Sequence, residues 1–329
     1  MDFIRGSWRW REFNGVHWLE DGFLMETGIV RQGFSGRLGG VSPPPYDSLN
    51  FSLSTGDEPE AVGENRRRLA DAVGFGVASW CGLRQVHGVE VKRVGRGQAG
   101  CWPTGADGRL GGADGQVTDE AGVTLVTLHA DCIPIYLVDV RRRAVGLAHA
   151  GWQGTLANMS GAAVEAMARE FGSRPRDLFA SIGPGAGPCH YEVDAKVMAK
   201  VGECFAGLGR AASFFDGNDV ASGHDGSAAA IGCDGHVAAT ERHVRAASTE
   251  CKSSCLGNPF LRPSENAGKA YLDLWLANAW LLAESGVPPG QISIAGICTI
   301  CEGKSLFSHR NKDLGRQAAF LALVPKNGS

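Results

Sequence analysis

The sequence predicts an α+β protein, because short apolar runs that suit buried strands occur beside segments with a helical apolar period. Three consecutive runs rich in branched side chains predict buried strands at residues 123–128, 133–138 and 144–148. Two more strands are predicted at residues 178–182 and 291–297. Start and stop signals predict helices at residues 59–74, 155–171 and 271–285, and one that Asp194 caps. This order agrees with an α+β fold but leaves the sheet topology open.

Two reactive side chains follow the central strands. Cys132 comes just after the first of the three strands, and His149 just after the third. No local helical or hairpin spacing brings together residues seventeen positions apart, so only a sheet edge can place them side by side. A thiol and an imidazole at one sheet edge indicate a metal site, a Cys nucleophile or no function, and the strands alone do not decide between them.

Composition narrows the class of protein. The chain has 329 residues, is 43% hydrophobic and carries a formal net charge of −3, so a nucleic-acid partner is not expected. No window of eighteen apolar residues predicts a membrane span, and the first residues lack a secretory signal, so a cytoplasmic location is expected. Ten cysteines are too few for a disulfide scaffold and predict free, metal-bound or catalytic thiols. No protein partner is evident.

The first third of the chain contributes one candidate binding loop. Residues 1–29 form a predicted lead-in, with a hairpin near Asn14 and Gly15. The segment SGRLGGVSPPP then presents Arg37 and backbone N–H groups in a loop that suits an anion, although a surface loop with a salt-bridging Arg is the commoner case. In the following helix, Asn65 and Arg66 are predicted to be structural. His87, alone in RQVHG, is more often a structural histidine than a ligand.

The second half contains a segment of unusual composition. Residues 204–269 are rich in Gly, Ala and Ser and predict a flexible insertion. A second zinc site is the alternative there, and its candidate ligands are Cys204, His224, Cys233, His236, His243, Cys251 and Cys255. Cys298 and Cys301 form a Cys-x-x-Cys that is interpreted as a structural strand end, because no helical apolar period follows it.

Taken together, the motifs resemble one family. SGRLGGVSPPPYDSLNFSL, GDEPEAVGENRRRLA, RQVHG, ADGQVT, LHADCIPI, LAHAGWQGT, SIGPGAGPCHYEV, DLWLANAWLL and FSHRNKDLGRQAAF occur in the order found in the laccase-domain family. That family is also called multi-copper polyphenol oxidoreductase, peptidoglycan editing factor or zinc-dependent purine nucleoside phosphorylase. The resemblance implies a single laccase-domain fold over residues 30–325, with mixed β-sheets in a sandwich-like core covered by helices.

The resemblance also implies a site. It makes His87, Cys132 and His149 both the catalytic residues and the ligands of one zinc, with copper a less favoured metal. It further implies a substrate and phosphate set around that metal, made up of Arg37, Gly39, Asn50, Gln85, Asp131 and Gly151. The chain departs from the family pattern at Cys189–His190, where two cysteines are usual, and in a shortened last loop at residues 306–316.

Three functions can be weighed. A zinc enzyme that splits adenosine, inosine, guanosine or methylthioadenosine with phosphate is what the resemblance implies, and adenosine deamination at the same zinc is chemically plausible. The runner-up is a cytoplasmic hydrolase that removes a misincorporated amino acid from a peptidoglycan precursor. A copper polyphenol oxidase is disfavoured, because it needs about ten histidines, largely in His-x-His pairs. The chain has nine histidines and no such pair.

Overall fold

The computed structural model describes residues 1–102, 111–206 and 258–325. The chain divides into two compact units, each considered by itself: a large unit of Asp2–Gly187 with Leu274–Ser329, and a small unit of Pro188–Asp273 with Met1. No helix of the described residues is long and apolar enough to cross a membrane.

Strands dominate the described structure. The strands are β1 (Ile4–Arg5), β2 (Trp8–Phe13), β3 (Val16–Asp21), β4 (Val30–Ser35), β5 (Trp80–Gly82), β6 (Val91–Arg93), β7 (Gly115–Thr118), β8 (Thr124–His129), β9 (Ile133–Asp139), β10 (Ala144–Ala150), β11 (Leu178–Ile182), β12 (Glu192–Val193), β13 (Leu261–Pro263), β14 (Ala270–Leu272), β15 (Ile292–Ile294) and β16 (Gln317–Leu323). The helices are α1 (Gly22–Met25), α2 (Pro59–Val73), α3 (Trp152–Leu156), α4 (Met159–Phe171), α5 (Ala195–Cys204) and α6 (Leu274–Glu284).

The large unit is a sandwich of two mixed sheets. One sheet has the order β1-β15-β11-β9-β10-β7-β6 and the other β2-β3-β4-β16-β8-β5. Tyr136 and Leu147 from the first sheet share one buried apolar cluster with Phe34, Leu125 and Leu321 from the second. Because side chains alternate along a strand, this shared cluster is the inner layer between the two sheets. The predicted α+β fold with a sandwich-like core is confirmed.

Helices cover the outer faces of this sandwich. On the six-stranded sheet, Leu69 and Val73 of α2 join Trp80 and Phe320 in a second buried cluster. On the seven-stranded sheet, α4 packs against β10 and α6. Arg66, predicted to need a buried partner, donates from Nη2 to the carbonyl oxygen of Phe51 at 3.0 Å.

Three predicted element boundaries differ from the structure. The expected hairpin at Asn14 forms between β2 and β3, but residues 1–29 also pair through β3 with β4 and through β1 with β15, so they belong to both sheets. Thr155 does not begin the long helix. Instead α3 ends at Leu156, and α4 starts after Asn158, whose side chain accepts from the N–H of Gly161. Residues 270–272, predicted partly as helix, form β14.

The small unit carries the sheet β12-β14-β13 and the helix α5. As predicted, Asp194 caps α5 by accepting from the N–H of Val197. The predicted flexible insertion is wrong at its C-terminal end, because residues 258–269 include β13 and the fully buried Phe260. Most of its candidate metal ligands, from His224 to Cys255, lie outside the described residues.

Candidate metal centre

The pairing of β9 with β10 explains how residues far apart in sequence meet. These strands are antiparallel, with Ala150 opposite Ile133 and His149 opposite Pro134. Cys132 directly precedes β9, so the end of β10 returns the chain to the same sheet edge. The sixteen intervening residues form one hairpin. The sheet-edge placement predicted for Cys132 and His149 is therefore present, but the expectation that no hairpin spacing brings them together is wrong.

The third member of the site arrives on a separate loop. His87 follows β5 with φ of 60°, a left-handed conformation that is uncommon outside glycine. Its ring lies edge-on to the ring of His149, with centroids 5.0 Å apart. One ligand atom each from His87, Cys132 and His149 lies within 4.8 Å of the other two. The lone histidine of the sequence thus has the two partners that the family resemblance implied.

These donors fit a metal ion by their chemistry. One sulfur and two imidazole nitrogens suit zinc or a similar transition metal, and three protein ligands leave a fourth position for water or substrate. Burial by itself would raise the pKa of the Cys132 thiol, but the neighbouring charge of His149 and hydrogen bonds from His149 and His87 lower it to about 6. The thiolate, which is the form that binds metals, is thus already favoured by its protein surroundings.

Two buried side chains support the three ligands from behind. Asp114, directly before β7, lies 2.9 Å through Oδ1 from Nδ1 of His149. His129, at the end of β8, lies 2.9 Å through Nδ1 from the carbonyl oxygen of Cys132 and 2.8 Å through Nε2 from Thr127 Oγ1. Burial, and secondly the charge of His149, keep the pKa of His129 well below its usual value. His129 is therefore a neutral support for the Cys132 loop.

A cavity of about 760 Å³ opens onto the three ligands. Besides these, its wall is made of the apolar residues Leu53, Leu83, Trp102, Leu128 and Ala130 and of the polar residues Ser52, Ser54, Arg84, Gln85, His309 and Arg316. Two arginines and an apolar wall beside a metal-ligand set suit a ligand with an aromatic or aliphatic body and an anionic group.

Comparison with known proteins identifies the family. Residues 31–221 and 229–324 match the sequence pattern of the family described as multi-copper polyphenol oxidoreductase laccase. The chain belongs to this family. It is 32% identical over 314 residues to a Geobacillus stearothermophilus protein named purine nucleoside phosphorylase YlmD, covering 93% of each chain.

Solved structures of similar proteins confirm the laccase-domain fold. The crystal structure of YlmD from Geobacillus stearothermophilus is 30% identical, with a TM-score of 0.72 over 99% of this chain and 100% of that one. The structure of YfiH from Bacillus licheniformis is 28% identical, with a TM-score of 0.73 over 96% of this chain and 99% of that one.

Most of the polar residues predicted to bind substrate in this laccase-domain chain instead hold its loops. Asn50 is fully buried, and its Oδ1 accepts from the backbone N–H of Arg316 at 2.9 Å. Asp131 accepts from Thr299 Oγ1 at 2.7 Å and from the N–H of Arg310 at 2.8 Å. Gln85 does line the cavity, but its amide makes both hydrogen bonds to the backbone of Leu128.

The two predicted glycines both allow close backbone approach. Gly39 has φ of 92°, and a Cβ there would collide with the carbonyl of Gly15. Gly151 precedes α3, and a Cβ there would press on Cys132. Only Gly151 therefore lies directly against the metal ligands.

Arg37, predicted to bind phosphate, is occupied within the protein. Its Nη1 donates to the carbonyl oxygen of Gly303 at 2.7 Å, and its Nε and Nη2 donate to that of Asp47. The guanidinium also pairs with the carboxylate of Asp313 at 3.4 Å and stacks on the ring of Phe307. Arg37 is not among the residues that line the cavity. These contacts give Arg37 a structural role beside the predicted one: it ties the glycine-rich loop to the last loop of the chain.

Arg316, which the sequence did not single out, lines the cavity together with Arg84. Arg316 donates from Nη1 to the carbonyl oxygens of Leu314 at 3.0 Å and Gly315 at 2.8 Å, which fixes its position. Its Nε and Nη2 have no hydrogen-bond partner among the residues that the structure describes. Arg316 stands in the last of the family motifs, FSHRNKDLGRQAAF, and the motif alone does not distinguish it from Arg310 in the same segment.

Proposed function

We propose that this chain is a zinc-dependent purine nucleoside phosphorylase. The observation that carries the proposal is one cavity in which three features occur together. These are a Cys/His/His ligand set, an apolar wall and an arginine, Arg316, two of whose donors have no partner among the described residues. The names of similar proteins support it, since the YlmD protein that is 32% identical is called a purine nucleoside phosphorylase.

Zinc is the metal we assign to His87, Cys132 and His149. Bound there, it would supply a Lewis acid with an open coordination position, which can polarise a substrate oxygen or activate water. The family description names copper, but a polyphenol oxidase needs a histidine-rich set of copper ions. Nine histidines without a His-x-His pair do not provide this set.

The residues of the cavity wall divide between the two substrates. Leu53, Leu83 and Trp102 offer an apolar surface against which a purine base can pack. Arg316 offers two donors from one side of its guanidinium, the geometry that matches an oxyanion such as phosphate. Phosphorolysis requires phosphate to approach the ribose C1′ while the base leaves. The chain would contribute chiefly by holding both reactants side by side in one cavity.

A cysteine hydrolase is less well supported by the same contacts. Asp114, His149 and Cys132 lie in the order of a cysteine-hydrolase triad, in which a carboxylate orients the histidine base. His87 argues against that use, because it adds a second imidazole at ligand distance from the thiol, which a triad does not need. Three convergent donors suit a metal better than an acyl-transfer site.

The decisive experiment combines metal analysis with a substrate comparison. Protein purified without added metal should contain about one equivalent of zinc and should convert inosine or adenosine to free base and ribose 1-phosphate only when phosphate is present. Release of ammonia from adenosine would add the deaminase activity. Cys132→Ala should lose both zinc and turnover while keeping its fold. Hydrolysis of a muramyl-serine nucleotide without any phosphorolysis would contradict the proposal and favour precursor editing.

A further inference from the structure

Asp114 connects two of the three candidate metal ligands from behind. It belongs to the ADGQVT segment, directly before β7, and is 1% exposed. Its backbone carbonyl accepts from the N–H of His149 at 2.7 Å, so residue 114 is held against β10 independently of its side chain.

The carboxylate of Asp114 receives four donors. Oδ2 accepts from the backbone N–H groups of Val86 at 3.1 Å and Gly88 at 2.8 Å. Oδ1 accepts from the backbone N–H of His87 at 3.0 Å and lies 2.9 Å from Nδ1 of His149. One side chain therefore fixes the left-handed turn that carries His87 and also the ring of His149.

These contacts determine which nitrogen of His149 can bind a metal. An ionised carboxylate has only acceptors, so Nδ1 of His149 must carry the proton of the 2.9 Å hydrogen bond. A metal bound there would take the place of the Nε2 proton, and the ring, then neutral and still protonated on Nδ1, would present the lone pair of Nε2. Nε2 is thus left as the donor to the metal, oriented by a hydrogen bond on the opposite side of the ring.

We infer that Asp114 is the positioning residue of the metal centre, which sets the tautomer of His149 and the backbone of His87 together. The inference deepens the proposed function and rests on it only in that the three ligands hold a metal. It does not depend on which substrate is used. Asp114 touches no reacting atom and acts through the two histidines.

An isosteric amide cannot replace this carboxylate. If Asn kept its oxygen toward His149, its NH₂ would face the N–H groups of Val86 and Gly88, placing donors against donors. If the amide turned over, its NH₂ would face the N–H of His87 and Nδ1–H of His149. The second arrangement would also favour the His149 tautomer that leaves no lone pair on Nε2 for a metal. Either orientation disturbs a ligand.

The chain provides a matched control in Asp139. This residue is also 1% exposed and lies at the end of β9, and its Oδ1 accepts from the N–H groups of Arg141 and Arg142 at 2.9 Å. Its Oδ2 has no partner among the described residues. An Asn at 139 can therefore keep its oxygen on the two N–H groups and turn its NH₂ toward the unused position.

The test measures metal binding directly. Zinc affinity of Asp114→Asn, Asp139→Asn and the parent protein would be obtained by competition with a chromophoric chelator, and the cobalt-substituted proteins would be compared by their thiolate-to-cobalt and d–d absorption bands. We expect Asp114→Asn to bind zinc about 10- to 100-fold more weakly, with altered cobalt bands. Asp139→Asn should match the parent in both measurements.

Each outcome supports or overturns the inference. Parent-like zinc affinity and cobalt bands in Asp114→Asn would overturn it, and so would an equal loss of affinity in Asp139→Asn. Thermal unfolding of the metal-free variants checks that both are folded, and Asp114→Ala, which places no amide donor in the site, should also lose affinity. If the parent binds zinc as expected but splits no nucleoside, the proposed function fails while this inference stands.

Discussion

A Cβ atom added to Gly151 would lie 2.9 Å from Sγ of Cys132 and 3.4 Å from Cδ2 of His87. Gly151 is the residue before α3, where the chain leaves β10 beside the metal ligands. The first of these distances is shorter than two atoms tolerate without a shift. Since Cys132 is short and its backbone is held by His129, its sulfur must rotate to relieve the contact.

Gly151→Ala should therefore weaken metal binding more than it weakens the fold. Rotation of the Cys132 sulfur moves a ligand atom away from the two imidazoles, and we expect zinc affinity to fall about tenfold or more. Gly63→Ala is the control, because nothing lies within 4 Å of a Cβ added there in α2. That variant should keep its zinc affinity and gain about 0.5–1 kcal/mol of stability. Unchanged zinc affinity in Gly151→Ala would show that the site accommodates the methyl group.

In the proposed function, Arg316 rather than Arg37 binds phosphate, because Arg316 lines the cavity. Arg316→Ala should raise the Michaelis constant for phosphate about ten- to a hundredfold, because hydrogen bonds to a charged group are lost. The Michaelis constant for the nucleoside should change much less. Initial rates at varied phosphate and fixed inosine would measure it. Similar increases in both constants would indicate a general loss of cavity shape.

Arg37→Ala is the matched comparison for that experiment. Its guanidinium lies between Asp47 and Asp313 and its side chain is 14% exposed, so its removal should lower the free energy of unfolding by about 1–3 kcal/mol. The Michaelis constant for phosphate should stay near that of the parent protein. A selective rise in that constant would restore the role first predicted for Arg37.

The sequence predicted the central strands well because each is buried on both faces. β8, β9 and β10 form within two residues of the predicted bounds, since a run of branched apolar residues suits few other structures. α6 was predicted as an amphipathic helix from residue 271. Most of its residues are buried instead, and its first predicted turn pairs as β14, which a helical period cannot reveal.

The candidate site was predictable only where motifs supplied what spacing could not. Cys132 and His149 follow from strand ends, but His87 reaches them on a loop whose path depends on Asp114, a residue that looks like an ordinary turn aspartate in ADGQVT. Arg37 and Arg316 are both arginines in glycine-containing loops. Only their contacts distinguish their roles. Arg37 is bound by carbonyl oxygens and carboxylates, whereas Arg316 lines the cavity.

Asp21 predicts a pH dependence of stability. Its carboxylate is fully buried where β3 meets the seven-stranded sheet, and it accepts from Ser181 Oγ at 2.7 Å and Ser293 Oγ at 3.1 Å. Burial is the main cause that raises the pKa of Asp21 above its usual value of 3.8, although these hydrogen bonds oppose the shift. The folded state therefore binds the proton more tightly than the unfolded state. The contribution of Asp21 to the stability of the fold is therefore most favourable below about pH 4. It is lost as the pH rises through the pKa that Asp21 has in the folded state.

Asp21→Asn should remove this dependence. The amide oxygen can accept from the N–H of Phe23, as Oδ1 of Asp21 does, while its NH₂ donates to the two serine hydroxyls. The melting temperature of the variant minus that of the parent protein should thus be higher at pH 7 than at pH 4. Each 1 kcal/mol of unfolding free energy that the parent loses between these pH values should add about 2–4 °C to this difference. Thermal unfolding at both pH values measures the difference. A relative melting temperature that falls toward neutral pH would show that the ionised carboxylate stabilises the fold.

The middle of the predicted insertion should be dispensable for metal binding and turnover. Residues 207–257 are rich in Gly, Ala and Ser, and the residues that flank them meet in the small unit, where the rings of Phe205 and Phe260 have centroids 4.6 Å apart. A short Gly/Ser linker can therefore join residue 206 to residue 258 without pulling the flanks apart, and loop closure depends only weakly on length. Replacing 207–257 in this way should leave one equivalent of zinc, turnover within a few-fold and a similar melting temperature.

A longer deletion is the control that makes this result informative. Removing residues 207–269 also takes away the buried Phe260, the strand β13 and Lys269, whose Nζ lies 2.7 Å from the Glu192 carboxylate. That variant should lose the paired strand next to β14 and unfold at a lower temperature, because the apolar surface of Phe205 is then exposed. If instead the shorter deletion loses a second equivalent of zinc, or reduces turnover by orders of magnitude, then residues 207–257 hold a metal or complete the active site.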